Sequence, residues 1–205
     1  MDAGDKNFRK NVTMKLNNKY YILRHGEAVS NVKDVVSCWP EKFNNPLTKN
    51  GIKKIENVAK ELKSKKIDLI FTSPLLRTKE TAEIVAKVLK VKLKIDKRLR
   101  ELEFGFFNGK SEEDFVRYFK NKKERVSKSA PKGESYVDVL GRVWDFFISV
   151  NRKYKDKNIL IVSHQAPLLL LLGKINGSSI IKSMDGIINM IGEKKITKGQ
   201  LIELN

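Results

Sequence analysis

The 205 residues carry 42 Lys and Arg against 24 Asp and Glu, a formal net charge of +18, with 40% hydrophobic residues spread along the chain. This length and apolar content bound one domain with a hydrophobic core. They exclude a membrane span, because no apolar run approaches the roughly 18 residues a bilayer requires, and the single Cys38 excludes an internal disulfide and fits a reducing cytoplasm.

Residues 1–18 are polar and rich in Lys and Asn, without the apolar stretch of a secretory signal, and read as a flexible basic tail before a single domain at 19–205. Residues 20–24 form an apolar strand that runs into Arg24-His25. Asn44 to Thr48 is a turn, with Thr48 as the N-cap of a helix whose Ile52, Ile55, Val58, Ala59 and Leu62 share a face. Asp68 to Thr72 is a second strand, closed by Ser73-Pro74. The next helix carries Leu76, Ala82, Ile84, Val85, Val88 and Leu89, and Val91 to Ile95 alternates as a strand with one buried face.

From Arg98 to Gly133 the pattern weakens around one helix, Ser111 to Lys122. Ser135 to Lys153 is a long amphipathic helix. A strand at 158–163, a helix after Pro167, and a closing hairpin around Lys198-Gly199 complete the chain. Strands alternating with helices predict an α/β fold, a three-layer α/β/α sandwich with a largely parallel central sheet. Ligands of such sheets bind beyond the carboxyl ends of the strands. Arg24-His25, Ser73 and Ser163-His164 would all emerge at that edge.

His25 and His164 are the only histidines in the chain, and each follows an apolar strand. Histidine is both nucleophilic and able to change charge near neutral pH. Leu23-Arg24-His25-Gly26-Glu27 with Ser30-Asn31 resembles the signature of the histidine phosphatase (phosphoglycerate mutase-like) superfamily. The likeness continues in order through Pro46 to Gly51, Thr72 to Thr78, Leu99 to Gly105, Gly133-Glu134-Ser135 with Arg142, and Val162-Ser163-His164. It covers roughly residues 20–175; several ordered segments are far more specific than a lone Arg-His-Gly triplet.

The resemblance implies a phosphatase acting without metal or cofactor through a phosphohistidine on His25, with Arg24 and Arg77 holding the phosphoryl oxygens. His164 would donate to one of those oxygens, Gly26 would let the backbone approach the anion, and Asn31 and Gln165 would touch the phosphate. Glu101 is the candidate general acid and base; Glu103 competes with it, and Glu27 reads as structural. Only nine of the 42 basic residues are arginines, so arginine at both motif positions is not compositional accident. His164-Gln165-Ala166 resembles the fructose-2,6-bisphosphatase branch of the superfamily. The segment 106–133 lacks the paired arginines of the mutases, which favours hydrolysis over phosphoglycerate mutase-type transfer. The other alternative is a non-catalytic phosphate- or polyanion-binding module.

The partner expected is a small phosphorylated substrate, with Ser37 to Phe43 and Phe104 to Lys132 forming the rim and lid; Trp39 and Phe43 would pack or stack there. The lysines are dispersed, which does not favour nucleic acid as a partner, and a homodimer is compatible with the sequence.

Overall fold

The computed structural model describes residues 15–183 and 196–204. Five strands build the sheet: β1 (Lys19–Arg24), β2 (Leu69–Thr72), β3 (Lys92–Ile95), β4 (Asn158–Ser163) and β5 (Leu201–Leu204). Their spatial order is β3-β2-β4-β1-β5, parallel throughout except for β5, which runs antiparallel to β1. The helices are α1 (Val29–Val32), α2 (Lys49–Glu61), α3 (Leu76–Leu89), α4 (Glu112–Arg117), α5 (Lys122–Ser127), α6 (Tyr136–Lys153) and α7 (Gln165–Ile175). No helix among the described residues is long and apolar enough to cross a membrane.

Successive strand residues point to opposite faces, and both faces are apolar. Tyr20, Ile22, Phe71, Ile159 and Ile161 meet α6 and α7 on one side; Tyr21, Leu23, Ile70, Leu160 and Val162 meet α2 and α3 on the other. The fold is therefore the α/β sandwich that the alternation of elements predicts, with the sheet buried between two helical layers.

Local chemistry sets the helix starts. Thr48 caps α2, its hydroxyl accepting from Gly51 N–H at 3.0 Å. Ser135 and Asp138 form a reciprocal capping box at the start of α6.

Several elements depart from the expected pattern. The helix placed over 111–122 is two, α4 and α5, separated at 118–121 and capped by Ser111 and Asn121. α7 starts at Gln165 rather than after Pro167, because a proline in the first helical turn removes an N–H that has no intrahelical acceptor. Ile52 and Ile95 are exposed, since α2 turns Ile55, Val58 and Ala59 inward and β3 is an edge strand.

Of the expected tail, residues 1–14 lie outside the described residues. Asn17 and Asn18 instead join the domain: Asn17 Nδ2 donates to Asn151 O at 2.9 Å and Asn18 Nδ2 to Tyr154 O at 2.8 Å. The turn at Lys198-Gly199 is present, and the strand after it pairs with β1. The other arm of the expected hairpin falls largely outside the described residues.

Candidate active site

Strand register brings the two histidines together. β1 pairs with β4 so that Arg24 faces Ser163, and β2 pairs with β4 so that Thr72 faces Val162. The next residues, His25, His164 and Ser73, leave the sheet at one edge, and His25 N–H donates to Ser163 O at 3.1 Å. The imidazoles of His25 and His164 meet edge to face with centroids 5.2 Å apart.

His25 is 2% exposed. Its Nδ1 lies 2.7 Å from Gly26 O, and Arg77 Nε donates to its Nε2 at 3.3 Å. A carbonyl only accepts, so Nδ1 carries the proton and the lone pair is on Nε2. Burial, then the charges of Arg77 and Arg24, hold the imidazole well below its usual pKa. His25 is therefore a neutral imidazole whose unprotonated Nε2 faces Arg77.

His164 is fully buried and does not line the cleft. Its Nε2 is 2.8 Å from Ser73 Oγ, while its Nδ1 is buried without a hydrogen-bond partner. Ser73 Oγ also accepts from Leu75 N–H at 3.4 Å. Burial and the charge of Arg77 keep this imidazole neutral as well.

An open cleft of about 670 Å³ lies above His25, lined by Arg24, Arg77, Asn31, Glu101 and Gln165 among others. Five of the residues expected to meet substrate or do chemistry thus converge around His25. Arg24 donates from Nη1 to Ile196 O at 2.8 Å and to Gln165 Oε1, and its Nε is buried without a partner. Burial pulls the Arg24 pKa down to about 10, which leaves it charged at neutral pH. Arg77 is held by Glu41 Oε1 at 3.2 Å and Ser37 O at 3.0 Å. The loop 37–41 thereby fixes the arginine that touches the imidazole. Asn31 Oδ1 accepts from Ala28 N–H at 3.0 Å, so its amide NH2 is the group it has left for a ligand.

The two carboxylates separate cleanly. Glu101 lines the cleft, and burial raises its pKa against the opposing pull of Leu102 N–H, Arg77, Arg24 and Arg142. Glu103 is absent from the lining and pairs with Arg100 at 2.9 Å. Glu27 accepts from Thr48 Oγ1 at 2.6 Å, a structural contact.

Gly26 is also required by packing: an added Cβ would lie 2.9 Å from Ile55 Cγ1 and 3.0 Å from Gly51 O. Neither Trp39 nor Phe43 lines the cleft; Trp39 is exposed and Phe43 lies beneath Lys33.

Sequence reasoning missed two groups of residues. Arg125, Tyr136 and Glu112 line the far wall of the cleft, in the segment of weak periodicity. The rarity of arginine does not single out Arg125, since it applies equally to exposed Arg117 in the same segment. Arg142 accompanies the Gly133-Glu134-Ser135 segment, whose pattern by itself gives it no role. Its guanidinium donates to Arg98 O and Arg100 O at 2.7 Å, to Glu101 O at 3.0 Å, and twice to the Glu134 carboxylate at 2.9 Å. It is the clamp that shapes the backbone carrying Glu101.

A family model of the histidine phosphatase superfamily (branch 1) matches residues 20–185. The chain is 31% identical over 162 residues to the probable phosphoglycerate mutase GpmB of Photorhabdus laumondii, covering 77% of this chain and 74% of that protein. It is 25% identical over 169 residues to phosphoserine phosphatase 1 of Hydrogenobacter thermophilus, covering 80% and 79%. Among solved structures, Bacillus stearothermophilus YhfR superposes with a TM-score of 0.72 at 27% identity, covering 81% of this chain and 83% of that one. The chain belongs to the histidine phosphatase superfamily.

Proposed function

We propose that the protein hydrolyses a phosphate monoester through a phosphohistidine on His25. The observation that carries this reading is the His25 Nδ1 contact to Gly26 O at 2.7 Å, which leaves Nε2 unprotonated at the floor of an arginine-lined cleft shared with Glu101. Nε2 attacks phosphorus and the P–O ester bond breaks. Glu101, its pKa raised by burial, gives its proton to the leaving alkoxide. Water then attacks the phosphohistidine, its proton passes to Glu101, and the N–P bond breaks to release inorganic phosphate.

Arg24 and Arg77 spread positive charge over the equatorial oxygens, so the reaction as written draws on no metal or cofactor. A phosphoryl oxygen in the cleft would compete with His25 for the Arg77 Nε–H and free the Nε2 lone pair. It would also offer an acceptor to Arg24 Nε, which is buried without a partner; His164, fully buried outside the cleft lining, would act through its contact with Ser73 rather than on the phosphate. Asn31 and Gln165 complete the proposed phosphate contacts.

The test is a rapid alkaline quench with radiolabelled phosphoserine, phosphoglycerate and glycerol phosphate. Acid-labile, alkali-stable label on His25, lost in H25A, with inorganic phosphate as product, is the expected result. Conversion of one phosphoglycerate isomer to the other without phosphate release would make the protein a mutase instead. No label and no phosphate release from any ester would overturn the reading.

A further inference from the structure

We propose that Glu41 is a positioning residue for phosphoryl transfer: from the loop at 37–41, its carboxylate sets the Arg77 guanidinium against His25 without itself meeting the substrate. The proposal deepens the hydrolase reading above and rests on it. Glu41 does not line the cleft, and both of its oxygens are engaged. Oε1 accepts from Arg77 Nη1 at 3.2 Å and Oε2 from Leu76 N–H at 2.9 Å. α3 begins at Leu76, and its N-cap residue, Leu75, has no side-chain acceptor to offer. A carboxylate from a distant loop therefore serves that end of the helix, where negative charge is favoured.

Arg77 is buried and aims its nitrogens in three directions: Nε at His25 Nε2, Nη2 at Ser37 O and Nη1 at Glu41. The guanidinium is planar, so holding both Nη groups fixes the direction of Nε–H, the donor that a phosphoryl oxygen would take over from the imidazole. The same loop is tied to the segment after Glu101. Cys38 Sγ accepts from Phe104 N–H at 3.3 Å, Asn108 Oδ1 from Cys38 N–H at 3.1 Å, and Asn108 Nδ2 donates to Pro40 O at 2.9 Å. Residues 37–41 form a strut between the arginine beside the nucleophile and the segment that carries the acid, and Glu41 is the end that grips the arginine. Its charge acts oppositely on binding and on chemistry. Bonded to the guanidinium that phosphate would use, it repels a bound phosphate, while the alignment it enforces helps the transfer. An arginine released from Glu41 still follows a bound phosphate, but a misplacement of about 1 Å can cost roughly 100-fold in rate.

Three measurements on the full chain test this: kcat for the ester turned over best in the quench panel, calorimetry with inorganic phosphate, and nitrogen NMR of the imidazoles, with the His25 signals assigned by their loss in H25A. E41A should lose about 10- to 100-fold in kcat while its Kd for inorganic phosphate weakens by no more than about twofold. E41D, which keeps the carboxylate, should recover part of the rate. E41Q can accept from only one of the two donors and should fall between E41D and E41A. The His25 Nε2 resonance in E41A should move toward that of a free imidazole lone pair as the Arg77 donor is lost. E56Q removes the same charge from an exposed position on α2 and should match the wild type in all three.

A wild-type kcat in E41A overturns the proposal, even with a lowered melting temperature, because Glu41 would then be a helix cap and nothing more. Loss of phosphate binding in step with turnover also overturns it, since the whole pocket would then depend on Glu41. Should E41A unfold, E41Q decides by the same criteria. If the wild type turns over no ester, the hydrolase reading fails on its own and the NMR decides for Glu41: an unmoved His25 Nε2 resonance in E41A overturns the positioning role, and a moved one upholds it.

Discussion

Replacing Arg142 by alanine removes five donor contacts at once. Three backbone carbonyls lose this donor, and the Glu134 carboxylate loses its ion-pair partner. The two side chains are 13% and 16% exposed, so water replaces some of these contacts. Breaking a buried pair costs about 3–5 kcal/mol, and partial access places R142A near 3 kcal/mol. For a chain of this size that is a fall in melting temperature of about 6–12 °C. R142K keeps the charge but not the fork, and should lose roughly half as much.

The kinetic effect has a separate sign. Arg142 is one of the cations that pull the Glu101 pKa down, so its removal raises that pKa further. If Glu101 acts first as an acid, as proposed, the alkaline limb of kcat/KM moves to higher pH in R142A and returns toward its original position in R142K. Scanning calorimetry and a pH profile on one phosphate ester measure both. A melting temperature within 2 °C or so of wild type, together with an unmoved alkaline limb, would refute the clamp.

The two carboxylates should differ sharply: E101Q loses about 10²- to 10⁴-fold in turnover of esters with poor leaving groups and abolishes the alkaline limb, whereas E103Q stays near wild type. Comparable losses in both would contradict the geometry. G51A sets a Cβ 2.2 Å from Glu27 O, backbone against backbone, and should cost about 3 kcal/mol and displace the loop carrying His25; a thermal melt and a single-turnover assay check both. Stability should also decline as pH falls below about 6.5, because unfolded histidines take up protons there while His25 and His164 stay neutral in the fold. Melting temperatures at pH 7.5 and 5.5 test this, a flat profile being the adverse result.

The parallel core of this protein was legible because its strands are short apolar runs bounded by turn residues. β1, β2 and β4 each sit within a residue of their expected limits, and the ends of β1 and β4 place His25 and His164 together by register alone. What stayed hidden depends on contacts distant in sequence. Nothing local to Leu201–Leu204 says that it pairs with β1. Arg125 sits in a stretch of lysines whose two short helices lack a sustained apolar face, so only the folded cleft distinguishes it from solvated neighbours. Glu41 is similar: its bonds to Leu76 N–H at 2.9 Å and to Arg77 join segments 35 and 36 positions apart.

The position of β1 in the sheet has a consequence for how the molecule comes into being. β1 leaves the ribosome well over a hundred residues before either of its neighbours, β4 and β5. The carbonyl that anchors the Arg24 guanidinium, that of Ile196, lies 172 positions downstream, and Gly199 N–H closes onto the carbonyls of Arg24 and His25. A nascent chain therefore holds an apolar strand with unpaired backbone groups until β4 and β5 have been made, with Arg24 unanchored. The cleft above His25 is complete only once the turn at 197–200 has been made, and a fragment ending before that turn would leave Arg24 unanchored however well its other helices had packed.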